Sequence, residues 1–238
     1  MCIRDSYKAI LDKAEKEADI ILWDGGNNDM PFYKPDLFLV VVDPHRPGHE
    51  LLFYPGESNL LMADVVVINK MDTAEPENIA TVKANIASVN PGSTIIEAAS
   101  PVTVEKPDVI KGKRCLVVED GPTLTHGGMK FGAGIVAAEK FGATEVVDPR
   151  PWITGTIAET FESYPDIGKL LPAMGYGEQQ IKDLEVTINT ADCDVVIIGT
   201  PIDLRRLLHI EKSSVRVTYN LKETGIPTVA NVLEPFTK

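Results

Sequence analysis

The stretch Ala63-Asp64-Val65-Val66-Val67-Ile68-Asn69-Lys70-Met71-Asp72-Thr73-Ala74 decides the fold. Four β-branched apolar residues stand in succession and stop at a polar loop. A strand that is apolar on every residue, not every second one, is covered on both faces, as in parallel sheets flanked by helices. The same texture recurs on either side. Upstream, Leu37 to Val42 ends at Asp43. Downstream, a helical pattern from Glu77 to Ser88 precedes Thr94-Ile95-Ile96-Glu97-Ala98. Further upstream, a helix over Tyr7 to Ala18 leads into Ile20-Ile21-Leu22-Trp23, which reads as one more strand. Strands alternating with helices predict an α/β fold with a mainly parallel sheet.

Residues 101–112 change to Pro, Lys and Asp without periodicity and read as a linker. Beyond it the pattern resumes: a strand from Cys115 to Asp120, a helix over residues 132–142, a strand at Glu145 to Arg150, and helices at Thr156–Phe161 and Glu178–Ile188. Strands at Asp194–Pro201 and Ser214–Leu221 and a short helix near Val229–Leu233 follow. The expected organisation is residues 1–100 as the distal half of a P-loop NTPase-like parallel sheet, and 113–238 as a second, smaller α/β domain for substrate. The opening Met1 to Ser6 reads as a translated adapter leader and receives no functional weight.

The 238 residues hold 23 Lys and Arg against 35 Asp and Glu, a net charge of −12, which disfavours nucleic acid as a partner. An anionic small molecule remains compatible, because exposed charges beyond ~8 Å are largely screened at physiological salt. The sequence contains no apolar run of the ~20 residues a membrane span requires, so no membrane partner is expected. Three scattered cysteines fit a reducing compartment, and the cytoplasm is the expected location. The oligomeric state is left open, a homodimer included.

Asn69-Lys70-Met71-Asp72 after a strand matches the base-reading element of GTPase-like nucleotide-binding proteins. The aspartate accepts hydrogen bonds from a base edge, while Asn69 and Lys70 brace the loop. Asp24-Gly25-Gly26 follows the expected strand at Ile20–Trp23, where such domains place a magnesium-holding carboxylate. Ser100 stands where a second loop approaches the base. A Walker A cradle needs two glycines five apart, then Lys and Ser or Thr. Only Gly112-Lys113 and Gly168-Lys169 offer Gly-Lys, and Arg114 and Leu170 follow them. The elements present therefore read as half of a nucleotide-binding domain.

Two further loops carry charge. In residues 43–50, DPHRPGHE, prolines stiffen the presentation of His45, Arg46 and His49, which suit phosphate contact or acid–base work. In residues 119–128, EDGPTLTHGG, a Gly-rich loop before a helix suits an anion, with His126, Gly127 and Gly128 as contacts. Arg150, Arg205 and Arg206 follow other strand ends of this unit and are expected to converge on the same polyanion. Cys115, Cys193 and His209 read as structural.

With these motifs in order, the chain resembles the cyclic 2,3-diphosphoglycerate synthetase family. The matching stretches are WDGGNND, VVVDPHRPGHE, YPGE, ADVVVINKMDTA, IIEAASP, VEDGPTLTHGG, DPRP, LPAMGY and IIGTPIDLRR, spread from Tyr7 to the C-terminus. The resemblance implies a ligase that closes 2,3-diphosphoglycerate into its cyclic anhydride by phosphoryl transfer from ATP, with Mg2+, and a Walker A upstream of the present chain. Asp24, His45 and Arg46 would then serve catalysis, with Asp24 on the metal. Asn69, Lys70, Asp72 and Ser100 would hold a purine nucleotide, ATP by the family and GTP by the motif. His126, Gly127, Gly128, Arg150, Arg205 and Arg206 would hold the phosphorylated acid. The competing readings are a GTPase-like regulatory or maturation protein, and a half-protein that binds ligands without turnover.

Overall fold

The computed structural model describes residues 3–26, 29–52, 54–125 and 130–237, and the chain divides into two units. The first joins residues 1–100 to 221–238; the second is 101–220. The last eighteen residues, expected in the second domain, thus return to the first.

Helix α1 (Ile3–Glu17) opens the first unit, and strands β1 (Leu39–Val42), β2 (Val65–Ile68) and β3 (Thr94–Ala99) form its parallel sheet. Two short helices, α2 (His49–Leu52) and α3 (Gly56–Met62), connect β1 to β2, and α4 (Pro76–Val89) connects β2 to β3. All four residues of β2 are buried, as its unbroken apolar run requires. Period two then sorts them. Val66 and Ile68 pack with Leu60, Val82 and Ile86 on the face of α3 and α4. Val65 and Val67 turn the other way, toward Ile96, Ala98 and, from the returning tail, Val229 and Val232 of α9 (Val229–Leu233).

The expected strand at Ile20–Trp23 does not form. A strand exists only where a neighbour completes its ladder, and among the described residues this run pairs with none; Leu22 is 86% exposed. It is fastened instead through aromatics. Trp23 meets Phe32 and Tyr33 edge-on at 5.1 and 4.9 Å between centroids, and Tyr7 of α1 stacks at 5.0 Å from Phe32.

The second unit spans the segment read as a linker. Val102–Val104 is a strand, β4, antiparallel to β9 (Ser213–Tyr219). Beside β9 lie β8 (Val195–Ile198) and then β5 (Arg114–Asp120), all parallel. The far edge of β5 is shared: β6 (Glu145–Val146) pairs with its start, and β7 (Leu171–Ala173) with its end. Helices α5 (Gly121–Thr125), α6 (Ala133–Lys140), α7 (Gly155–Ser163) and α8 (Glu178–Thr190) complete the unit. The core is the continuous apolar runs Cys115–Val118 and Val195–Ile198, packed with Ala137, Phe161, Leu184 and Ile188. Antiparallel pairing occurs at β4 and at β10 (Lys222–Glu223), which lies on β3 in the first unit. The molecule is therefore α/β with mixed, mostly parallel sheets. No described helix is long and apolar enough to cross a membrane.

Candidate functional site

In the first unit the register sets Val42 beside Ile68, and Ile68 beside Glu97. The residues that follow these partners therefore leave the sheet side by side at its carboxyl edge, the side on which open α/β sheets hold ligands. Asp43 leaves β1 there, Asn69-Lys70-Met71-Asp72 leaves β2, and Ser100 ends the segment after β3.

These three loops are fastened to one another. Lys70 Nζ donates to Asp43 Oδ2 at 2.8 Å, and Arg46 Nη2 reaches the same oxygen at 3.3 Å. The His45 amide donates to Asp43 Oδ1 at 3.0 Å. A second bridge joins His45 Nε2 and Thr73 Oγ1 at 2.9 Å. Between β2 and β3 the Met71 amide donates to the Ala98 carbonyl at 3.1 Å, and the Ser100 amide to Asp72 Oδ1 at 3.0 Å. Asn69 braces the loop from inside, its Oδ1 accepting from the Lys70 amide at 2.8 Å.

Lys70 is held with φ +58°, the left-handed region, and is the sole non-glycine so placed among the described residues. A side chain there costs on the order of 1–2 kcal/mol unless its surroundings enforce it. Here the Asn69, Thr73 and Asp43 contacts do so. Burial would raise the Asp43 carboxyl, but the Lys70 hydrogen bond and charge, the His45 amide and the Arg46 charge together hold it below the ordinary carboxylate value. Asp43 is thus an ionised, half-buried hub. Sequence reading had it only as the end of a strand; the signal was present in its position one residue past the last valine of β1.

The structure brings together His45, Arg46, Asn69, Lys70, Asp72 and Ser100. It does not add Asp24, which follows no strand and stands exposed in the extended stretch after Trp23. That bears on magnesium. Among the described residues no group of three or more His, Cys, Asp and Glu could hold a metal ion. Asp43, the one carboxylate at the β1 end, already faces two cations. The described residues thus offer no all-protein cage for a metal ion.

The second unit differs from expectation more sharply. His126, Gly127 and Gly128 lie outside the described residues. Arg150 does not turn to a shared crevice. Its Nη1 spans both Asp148 oxygens at 3.0 and 3.1 Å, its Nη2 donates to the Ile167 carbonyl, and its guanidinium lies 4.8 Å from the Phe161 ring centre. Arg205 is saturated likewise. It makes a paired bond to Glu105 at 2.9 Å through both terminal nitrogens and bonds Asp203 through Nε and Nη2 at 2.9 and 2.8 Å. Both carboxyls are held below their usual range by Arg205, whose own pKa is raised by Asp203 and Glu105. Each arginine thus holds an acid two residues before it and ties that loop to a remote partner, the Ile167 carbonyl for Arg150 and Glu105 for Arg205. Arg206 is exposed.

What occupies this second carboxyl edge is Glu119. It is the last residue but one of β5, beside the end of β8, at the point where the chain first passes to β6 and β7 on one side and later to β8 on the other. Its carboxylate is 2% exposed and accepts from the Ile135 amide at 2.9 Å, with the Gly132 and Gly134 amides contributing, so it sits at the start of α6. A methyl group on Gly132 or Gly199 would come within 2.5 Å of its Oε2. A helix start of this kind suits an anion, and here the protein supplies its own. Burial dominates the three amide bonds and pushes Glu119 up to about 7.

Asp183 of α8 does similar work for α7. Its Oδ2 accepts from the Thr156 amide and hydroxyl, both at 2.9 Å, and Gln179 donates to Oδ1 at 2.8 Å. Gly155, at φ +52°, gives the room: a Cβ there would lie 2.3 Å from that oxygen. Cys115 is buried and Cys193 partly so, and burial pushes the Cys115 thiol up to about 11 and also raises Cys193.

No family model matches the chain. It is 63% identical over 232 residues to an arginine synthetase of Thermococcus kodakarensis, a match that takes in 98% of this chain and 52% of that protein. It is 31% identical over 111 residues to a cyclic 2,3-diphosphoglycerate synthetase of Thermococcus sibiricus, covering 46% of this chain and 25% of the relative. The chain spans about half the length of the first relative and a quarter of the second. It is thus similar, over nearly all of its own length, to part of a protein named as a synthetase of arginine, and over under half of it to a synthetase of cyclic 2,3-diphosphoglycerate.

Proposed function

We propose that this chain is part of a nucleotide-dependent synthetase, and that its first unit binds a purine nucleotide along the carboxyl edge of β1–β3. The observation that carries the proposal is the polar edge made by three successive loops, with Lys70 and Arg46 toward β1 and the Asp72 carboxylate, fixed by the Ser100 amide, toward β3. The Ser100 amide, by donating to Asp72 Oδ1, fixes the Asp72 carboxylate, whose acceptor oxygens would face the amino and imino donors of a purine edge. Toward β1, Lys70 and Arg46 offer the charge that phosphates require, with His45 beside them.

The relatives' names support the class of reaction. In the reading we favour, the nucleotide's terminal phosphoryl group passes to an oxygen of the acceptor. The bond to the bridging oxygen breaks and the nucleoside diphosphate leaves. A nitrogen nucleophile then displaces phosphate to complete a guanidinium. The 63% identity over nearly the whole chain favours this arginine-forming version. A second version is favoured by the shorter match: a neighbouring phosphate is the nucleophile and closes 2,3-diphosphoglycerate into its cyclic anhydride. In both, the protein's task is positioning and charge neutralisation more than covalent chemistry. His45 and Arg46 face the transferred group, and Asn69, Lys70, Asp72 and Ser100 hold the nucleotide. The acceptor falls to the second unit, on the loop that carries His126, Gly127 and Gly128, with Arg206 as its exposed cation; Arg150 and Arg205 hold that unit together. A P-loop NTPase-like ancestry fits the strand–NKMD arrangement.

The test is calorimetric titration of the chain with ATP and GTP, beside Asp72→Asn. Saturable binding that falls by roughly 5–100-fold in the variant, the cost of weakening a charged acceptor, supports the reading. Equal affinity in both proteins removes Asp72 from it.

A further inference from the structure

We infer that Asp43 is the positioning residue of the nucleotide edge, holding Lys70 and Arg46 where an incoming polyphosphate meets them. This rests on the nucleotide reading above. Asp43 Oδ2 takes Lys70 Nζ at 2.8 Å and Arg46 Nη2 at 3.3 Å, so two flexible cationic chains from two loops share one oxygen. The other oxygen is fixed by the His45 amide at 3.0 Å. The side chain is 14% exposed, against 39% for Lys70 and 32% for Arg46. The anchor is thus the most enclosed of the three, and the two cations are the groups a ligand can reach. The left-handed backbone at Lys70 accompanies the reach of that side chain across the strand gap to Asp43 after β1. His45–Thr73, at 2.9 Å, closes the same gap a second time.

The inference makes a prediction opposite in sign to plain electrostatics. Asp43 is a negative charge within a few ångströms of an anion site, so removing it should tighten phosphate binding if charge alone mattered. If Asp43 positions the cations, removing it lets two long side chains regain their rotamer freedom, and binding weakens.

The experiment titrates the chain with ATP and, separately, with inorganic tripolyphosphate, which lacks a base. The proteins are the parent, Asp43→Asn, Asp43→Glu, Lys70→Gln and the Asp43→Asn/Lys70→Gln pair, each checked for folding by circular dichroism. We expect Asp43→Asn to weaken both probes about 5–20-fold and Asp43→Glu to recover most of that loss. The double variant should lose less than the sum of the two single losses, because part of the effect of Asp43 passes through Lys70 and the rest through Arg46. If Asp43→Asn fails to fold, recovery of binding by Asp43→Glu above the level of Lys70→Gln carries the same meaning. Unchanged or tighter binding by Asp43→Asn, or fully additive losses, overturns the inference and leaves the nucleotide reading standing. A parent that binds neither probe overturns both.

Discussion

The Ser100 amide donates to Asp72 Oδ1 at 3.0 Å across 28 residues of chain. That bond joins the loop after β2 to the end of β3 and fixes the Asp72 carboxylate at one exposed edge.

Glu119 gives a prediction about pH. Its carboxyl is lifted from 4.5 to about 7 by burial, so between those values the folded protein binds a proton that the unfolded chain releases. Stability is therefore highest on this account below about pH 4.5, falls as pH rises through the window, and levels off above 7. Glu119→Gln keeps the shape and removes the ionisation. Urea unfolding should show the variant gaining on the parent by on the order of 3 kcal/mol between pH 5 and 8. A difference that does not change with pH would mean that Glu119 is ionised throughout.

Arg205 is predicted to matter for folding and not for ligand. Its bonds to Glu105 and Asp203 link the segment after β4 to the loop after β8. Because these groups are partly exposed, Arg205→Ala should cost only about 1 kcal/mol at low salt, and less at high salt. Nucleotide affinity should match the parent within error. A variant with parent stability but weakened ligand binding would return Arg205 to the binding residues.

Asp183→Ala removes the cap of α7. The Thr156 amide and hydroxyl lose their acceptor in a nearly buried place, and the expected loss is about 1–2 kcal/mol in denaturant unfolding. Gly155→Ala should destabilise by a comparable or larger amount, because the new methyl group meets the same carboxylate and φ is +52°. If Gly155→Ala were neutral while Asp183→Ala was costly, the tight Gly155–Asp183 approach would not be real.

Much of the fold was legible because burial writes itself into composition. Val65–Ile68 and Val195–Ile198 are apolar at every position and became the fully buried strands. The strands that escaped notice have no such run. β4 lies in a Pro- and Lys-rich segment, β7 contains Pro172, and β10 is Lys-Glu; each sits at a sheet edge, where one neighbour suffices and proline is tolerated. The opposite error, at Ile20–Trp23, has the same origin: apolar β-branched residues favour a strand but do not supply its partner. The first-unit site was legible because its residues follow strands and face one edge by parallel register. The second-unit site was not. Asp148 and Asp203 stand two residues before Arg150 and Arg205, but the Ile167 carbonyl and Glu105 meet them only in three dimensions, and Glu119, at the head of a loop read as an anion site, gave no sign of being the group buried against α6.

The most direct test of the central claim is a two-dimensional amide NMR titration of the chain with ATP, repeated with GTP. The account predicts that the largest shift changes cluster at Asp43, His45 and Arg46, at Asn69 to Thr73, and at Ser100, and that they saturate together with a single affinity. Changes concentrated instead at Gly132 to Ile135 and Gly199 to Arg206, or none at millimolar nucleotide, would contradict it.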